Sequence, residues 1–178
     1  IPNTKIFISP GNHDPYLNNS IYANFNWNNN VIIFNSNIKK YSYEDVDIYG
    51  YGFTDFYCEN SIINNLKNEN KNKINILVMH ANLDQISDKK YNEVKTKDLD
   101  KLGFDYIALG HIHKRNFDDS MQENIIYPGS TLALGFDEQG KHGIIEGEIN
   151  NKDLKLKFIP LDEKEFNVIN LDVTEIIS

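Results

Sequence analysis

The chain has a single cysteine, Cys58, in 178 residues, so no disulfide can close within it. That absence suits a reducing cytosol and a cytoplasmic setting. No run approaches the roughly 18 consecutive apolar residues of a membrane span, and no signal peptide precedes the first strand-like segment. Positive charge is scarce as well: 18 Lys and Arg stand against 26 Asp and Glu, a net charge of −8. This argues against a broad basic surface for nucleic acid. It leaves room for a phosphate drawn in by bound cations, which invert the local field. Low-complexity sequence is confined to short asparagine clusters, and there is no internal repeat. With 40% apolar and 25% charged residues, the composition is globular, and the length suits one domain with a real core.

The informative stretch is Gly110-His111-Ile112-His113. The apolar run over residues 104–109 reads as a buried strand delivered straight into it. If the chain stays extended, His111 and His113 share a face, with Cβ atoms roughly 6.5 Å apart. Residues 74–79 form a second apolar run, ending on His80. Residues 5–9 are a short strand entering Pro10-Gly11-Asn12-His13-Asp14-Pro15, where Pro and Gly force a turn and Pro15 keeps Asp14 out of the helical region. Four of the five histidines thus follow a strand. His142, in a glycine-bounded turn, needs no more than a structural role. Imidazoles, an amide and carboxylates at neighbouring strand ends form a mixed N/O donor set suited to Mn, Fe or Zn.

Further strands are expected at residues 31–34, 46–53 and 124–127, with short helices at 61–66 and from Thr96. The acidic Asp98 and Asp100 behind Thr96 suit a helix start, and Gly103 ends that helix. Tyr127-Pro128-Gly129-Ser130 suits a type II turn. Residues 145–149 and 154–158 alternate with period two around a turn at 150–153, the pattern of a hairpin with one wet face. A last strand is expected at 166–173. Strands interleaved with short helices, followed by antiparallel strands, favour an α/β layered arrangement with sites at strand ends.

Gly11-Asn12-His13-Asp14, His80 after its strand, and Gly110-His111-Ile112-His113, in that order, resemble the last three motifs of the calcineurin-like metallophosphoesterases. Residues 11–35, 49–53, 127–130 and 134–138 resemble the DNA-repair exonuclease branch, SbcD- and YhaO-like. The resemblance implies an α-β-β-α sandwich, here truncated at its N-terminal strands. It assigns residues 1–161 to the C-terminal part of the phosphoesterase domain, and 162–178 to a final strand and a linker toward a capping region. It implies two divalent ions, Mn first with Fe or Zn as alternatives, with Asn12, His80 and His111 on one and His113 on the other. By the same resemblance His13 would act on the leaving group and Asp14 would orient His13. DNA is the implied substrate and an SMC-like ATPase the implied partner. Lys114 and Arg115 read as surface cations.

Two upstream motifs of the family, Asp-x-His and Gly-Asp, have no counterpart in these residues, and the first residue is Ile1. The expectation is a piece of a longer protein that binds metal weakly and hydrolyses little alone, with apolar strand edges uncovered. Two other readings remain open. One is a phosphoesterase of small molecules or nucleotides, which the acidic charge favours. The other is a non-catalytic scaffold that binds a partner.

Overall fold

The computed structural model describes residues 3–84, 90–120 and 123–172. Its centre is a five-stranded sheet of order β3-β4-β5-β8-β9, built from Lys39–Ser42, Val46–Tyr51, Ile74–His80, Tyr106–Gly110 and Ile125–Ile126. β3 runs antiparallel to β4, and the other neighbours are parallel. The fold is therefore a mixed α/β one, as the strand–helix alternation implied. Three two-stranded sheets surround it: β1 (Ile6–Ile8) with β2 (Val31–Ile33), β6 (Asn82–Leu83) with β7 (Glu93–Val94), and the hairpin β10 (Gly143–Asn150) with β11 (Asp153–Pro160). No helix among the described residues is long and apolar enough to cross a membrane.

The two apolar runs became strands for the reason their sequence suggests. Parallel strands covered on both faces need not alternate polar with apolar residues. One face of β5 and β8 carries Leu77, Met79, Ile107 and Leu109, each at most 3% exposed, packed with Tyr49, Leu66, Leu99 and Phe104. The other face turns Ile74, Ile76 and Tyr106 toward the hairpin. There Ile145, Ile149, Leu154 and Leu156 line an apolar space of about 350 Å³. Outward on the hairpin, Glu146 faces Lys157 and Glu148 faces Lys155 in register, a favourable cross-strand charge arrangement. Asn151 and Lys152 take φ of 47° and 69°, the two left-handed residues a tight hairpin turn needs.

Local differences from the sequence reading have specific causes. The expected helix at 61–66 is one 3₁₀ turn, Ile62–Asn65, without a side-chain cap. Helix α2 (Thr96–Asp100) begins at Thr96, but its cap comes from a distance. The Asp84 carboxylate accepts from the Thr96 N–H at 3.0 Å and from the Thr96 hydroxyl. Gly103, at φ 68°, ends the turn after α2. The last strand expected at 166–173 does not form over 166–172, and Val173 lies outside the described residues. No sheet edge pairs with that segment, so its apolar residues (Ile169 and Leu171, both 81% exposed) gain nothing from extension. The sequence reading missed β3, β6 and β7, and the structure adds a four-residue helix α1, Ile21–Asn24.

Leu77→Ala should cost about 2–5 kcal/mol in urea unfolding, since Leu77 is fully buried between sheet neighbours. Leu134→Ala, at a side chain 86% exposed, should stay within about 0.5 kcal/mol. Equal losses at the two positions would mean that the core does not lie where described.

Candidate metal centre

Three motifs meet at the C-terminal ends of β5 and β8. His80 is the last residue of β5 and pairs in register with Gly110, the last of β8. The turn after β1 brings Gly11 against the His80 ring. A Cβ at Gly11 would lie 2.4 Å from Cε1 and 2.5 Å from Nδ1 of His80, and one at Gly110 would lie 3.1 Å from Nδ1. The imidazole therefore leaves no room for a side chain at Gly11 and only tight room for one at Gly110. Asn12 and His111 each follow one of these glycines, so their side chains emerge on either flank of His80.

The result is a triangle of donor atoms. His80 Nε2 lies 2.8 Å from Asn12 Oδ1 and 3.2 Å from His111 Nδ1, and His111 Nδ1 lies 3.3 Å from Asn12 Oδ1. Donors bound to one ion at about 2.0–2.2 Å stand roughly 2.8–3.6 Å apart between octahedral and tetrahedral arrangements, so the three atoms fit a shared ion. Two imidazoles and one amide oxygen are a donor set for Mn, Fe or Zn. Among the described residues no three His, Cys, Asp or Glu side chains converge, because the third donor here is an amide.

Burial sets the charge state of this cluster. Desolvation, followed by the nearby His111, pushes His80 down to about 4, while the Asp14 carboxylate opposes the shift. His111 is lowered for the same reason, with His113 and His13 adding to it. Both imidazoles are neutral at pH 7, the state in which they can ligate. The end of β5 is firmly held. Buried Asn92, at φ 52°, donates from Nδ2 to the His80 carbonyl at 3.0 Å and accepts from the Ile62 N–H at 3.2 Å. The Tyr127 hydroxyl donates to the Ala81 carbonyl at 2.7 Å and accepts from the Leu83 N–H at 2.9 Å. Rings of Phe53 and Tyr91 lie against His80 and His111, with centroids 5.2 Å and 5.0 Å away.

The remaining sequence candidates take other places. His13 is exposed on the turn beside the triangle. The Asp14 carboxylate is occupied by the turn itself: Oδ1 accepts from the Gly11 N–H at 3.0 Å and Oδ2 from the Tyr22 hydroxyl at 2.5 Å. Asp14 thus braces the loop that carries His13 and makes no hydrogen bond to its imidazole. The common face expected for His111 and His113 is not found, because His111 has φ 115° and the extended register ends at Gly110. His111 turns into the triangle. His113, with a side chain 60% exposed, pairs instead through Nδ1 with Glu138 Oε1 at 2.6 Å. Asn92, Tyr91 and the contact of Glu138 with His113 were not foreseen. A polar residue inside an irregular loop carries no periodic signal, and only the buried location of Asn92 reveals its task.

A family model described as calcineurin-like phosphoesterase matches residues 1–115. The chain is also similar to the uncharacterized metallophosphoesterase YhaO of Bacillus subtilis (strain 168), with 28% identity over 178 residues. That match covers 96% of this chain and 43% of the relative, so the chain spans less than half of the protein it resembles.

In protein dialysed against EDTA, the His80 imidazole should titrate near pH 4 in an NMR pH series. Its folded-state pKa lies below the ordinary value of about 6.5, so the unfolded chain binds the proton first. The contribution is fully present above about pH 6.5 and is lost as pH falls toward 4, a loss on the order of 3 kcal/mol. A midpoint above about 6 would contradict a desolvated His80.

Proposed function

The chain belongs to the calcineurin-like phosphoesterase family, and on that premise we propose that its parent protein is a metal-dependent phosphodiester hydrolase, a DNA-repair exonuclease in its biological setting. One observation carries this reading: Asn12 Oδ1, His80 Nε2 and His111 Nδ1 stand within 2.8–3.3 Å of one another at the ends of two parallel strands. These three would hold one divalent ion, with Mn the first choice, and His113 would contribute to a second. Ions bound there supply Lewis acidity to the phosphoryl group and a better water nucleophile. The residues of the chain do the rest. Burial keeps His80 and His111 unprotonated, and Gly11 and Gly110 let the His80 ring sit between the two flanking donors. His13, exposed beside them, is the group that would give a proton to the leaving oxygen from its imidazole N–H. Asp14 fixes the turn from which His13 projects.

Among the described residues three neutral donors converge, and no carboxylate belongs to their triangle. We therefore expect weak ion binding and little turnover from this segment by itself, and an SMC-like ATPase as partner of the whole protein. The net charge of −8 favours the second reading, a phosphoesterase of small molecules.

The full-length parent, assayed with Mn²⁺ on single- and double-stranded DNA beside a generic phosphodiester, should degrade DNA preferentially. His80→Ala should lower kcat by roughly a hundredfold or more. Hydrolysis of the small ester alone would establish the second reading. Activity untouched by His80→Ala would remove the site from the mechanism.

A further inference from the structure

Beyond the triangle, His113 ends a continuous chain of hydrogen bonds whose direction can be fixed atom by atom. The chain starts at His142, which is 6% exposed. Its Nδ1 lies 3.2 Å from the Ser130 carbonyl oxygen, which can only accept, so Nδ1 carries the proton. The same Nδ1–H faces Ser130 Oγ at 2.8 Å. That hydroxyl accepts there and directs its own proton to Glu138 Oε2 at 3.2 Å. The Leu134 N–H also donates to Oε2, at 3.0 Å. Two donors thus hold one oxygen of Glu138, whose side chain is only 11% exposed, and pin its plane. The other oxygen, Oε1, meets His113 Nδ1 at 2.6 Å. A carboxylate offers only acceptors, so Nδ1 is the His113 nitrogen that carries a proton in this contact.

We propose that Glu138 is a positioning residue for His113: it locks the Nδ1–H tautomer, so that Nε2 is the atom His113 offers to an ion. Ser130 and His142 fix the carboxylate that does this. The part of the proposal that makes Nε2 a ligand rests on the metal-dependent reading above, and the tautomer itself does not. Glu138 lies 25 residues beyond His113, on the loop between Gly135 and Gly140, with β9 between the two in the chain. The contact therefore ties this loop to the site. A carboxylate or carbonyl behind a ligating histidine orients the ring and raises its basicity.

The pinned orientation gives a sharp expectation for Glu138→Gln. Leu134 N–H and Ser130 O–H both require an acceptor, so the glutamine oxygen takes the Oε2 position and its NH₂ faces His113. Nδ1 must then accept, and the proton moves to Nε2, where it blocks ligation. The test is a long-range ¹H–¹⁵N NMR correlation on the ¹⁵N-histidine-labelled 178-residue chain, free of metal, at about pH 8, above the ordinary imidazole range. Expected are Nδ1–H for His113 in the unmodified chain and Nε2–H in Glu138→Gln, with His80 and His111 signals unmoved as the control for folding. An Nε2–H or doubly protonated His113 in the unmodified chain would overturn the proposal, as would Nδ1–H persisting in a folded Glu138→Gln. Should that variant fail to fold, the unmodified chain alone decides. Since neither metal nor substrate is used, an inactive parent would leave this result standing. A wrong tautomer would leave the Asn12–His80–His111 triangle untouched.

Discussion

The imidazole of His80 occupies a slot that the missing side chain of Gly11 opens and that of Gly110 widens. A methyl group at Gly11 would overlap the ring, and one at Gly110 would press on it. Interiors are packed too densely to yield to such overlap without shifting backbone. The slot therefore dictates how closely the turn after β1 approaches the end of β5, and that approach places Asn12. The parallel pairing of His80 with Gly110 places His111 on the other flank. The spacing of the three donor atoms follows from backbone packing more than from any attraction among the donors. Three half-buried polar groups this close, two of them imidazoles lowered by desolvation, would otherwise be a costly arrangement. The surrounding scaffold holds them there through Asn92, Tyr127 and the sheet itself.

Scaffold and site are consequently one object. The core beneath β5 and β8 is a set of large apolar residues packed on one face, while the site sits where those strands stop. The polar residues that finish the strand ends are buried as well: Asn92 is fully covered and Tyr127 is 3% exposed. Each satisfies backbone groups that the terminating sheet leaves open, and so each fixes a segment bearing a site residue. A backbone carbonyl held by a buried amide moves little, and neither does the imidazole attached to it.

How much of this could be read from the sequence depended on whether the signal was periodic, local or relational. Periodic signals read well: the apolar runs ending at His80 and His111 are β5 and β8, and the alternation after residue 143 is the hairpin. Glycines beside the candidate ligands were visible, although their reason, the His80 ring, needed coordinates. Relational features did not read. β3 is polar and pairs only at an edge, and β6 and β7 are two residues each, too short for a pattern. The expected strand at 166–173 had the composition but no partner over its described residues. His111 and His113 are two residues apart, and one left-handed residue sends them to different partners. Asp14 looked like an orienting carboxylate, and its own turn consumed both of its oxygens. A loop dihedral and a carboxylate's choice among donors are both decided by tertiary context.

The charge balance of the chain bears on how an acidic protein would receive a phosphate. The donors in the triangle are an amide and two imidazoles that burial keeps neutral, so none of them offsets the charge of a divalent ion held there. A carboxylate cage would cancel much of that charge before a substrate arrived, whereas neutral ligands leave it directed outward. The Asp14 carboxylate acts on His80, and it is tied into its turn by a backbone N–H and a tyrosine hydroxyl. Glu138 is likewise engaged, by three donors. Hydrogen bonds of this kind spread and partly neutralise a carboxylate's field toward its neighbours. Of the −8 carried by the whole chain, any part farther than about 8–10 Å from the site is screened by salt. Were an ion held by these three donors, their neutrality would leave its charge free to attract an anion, and the burial of His80 maintains that neutrality.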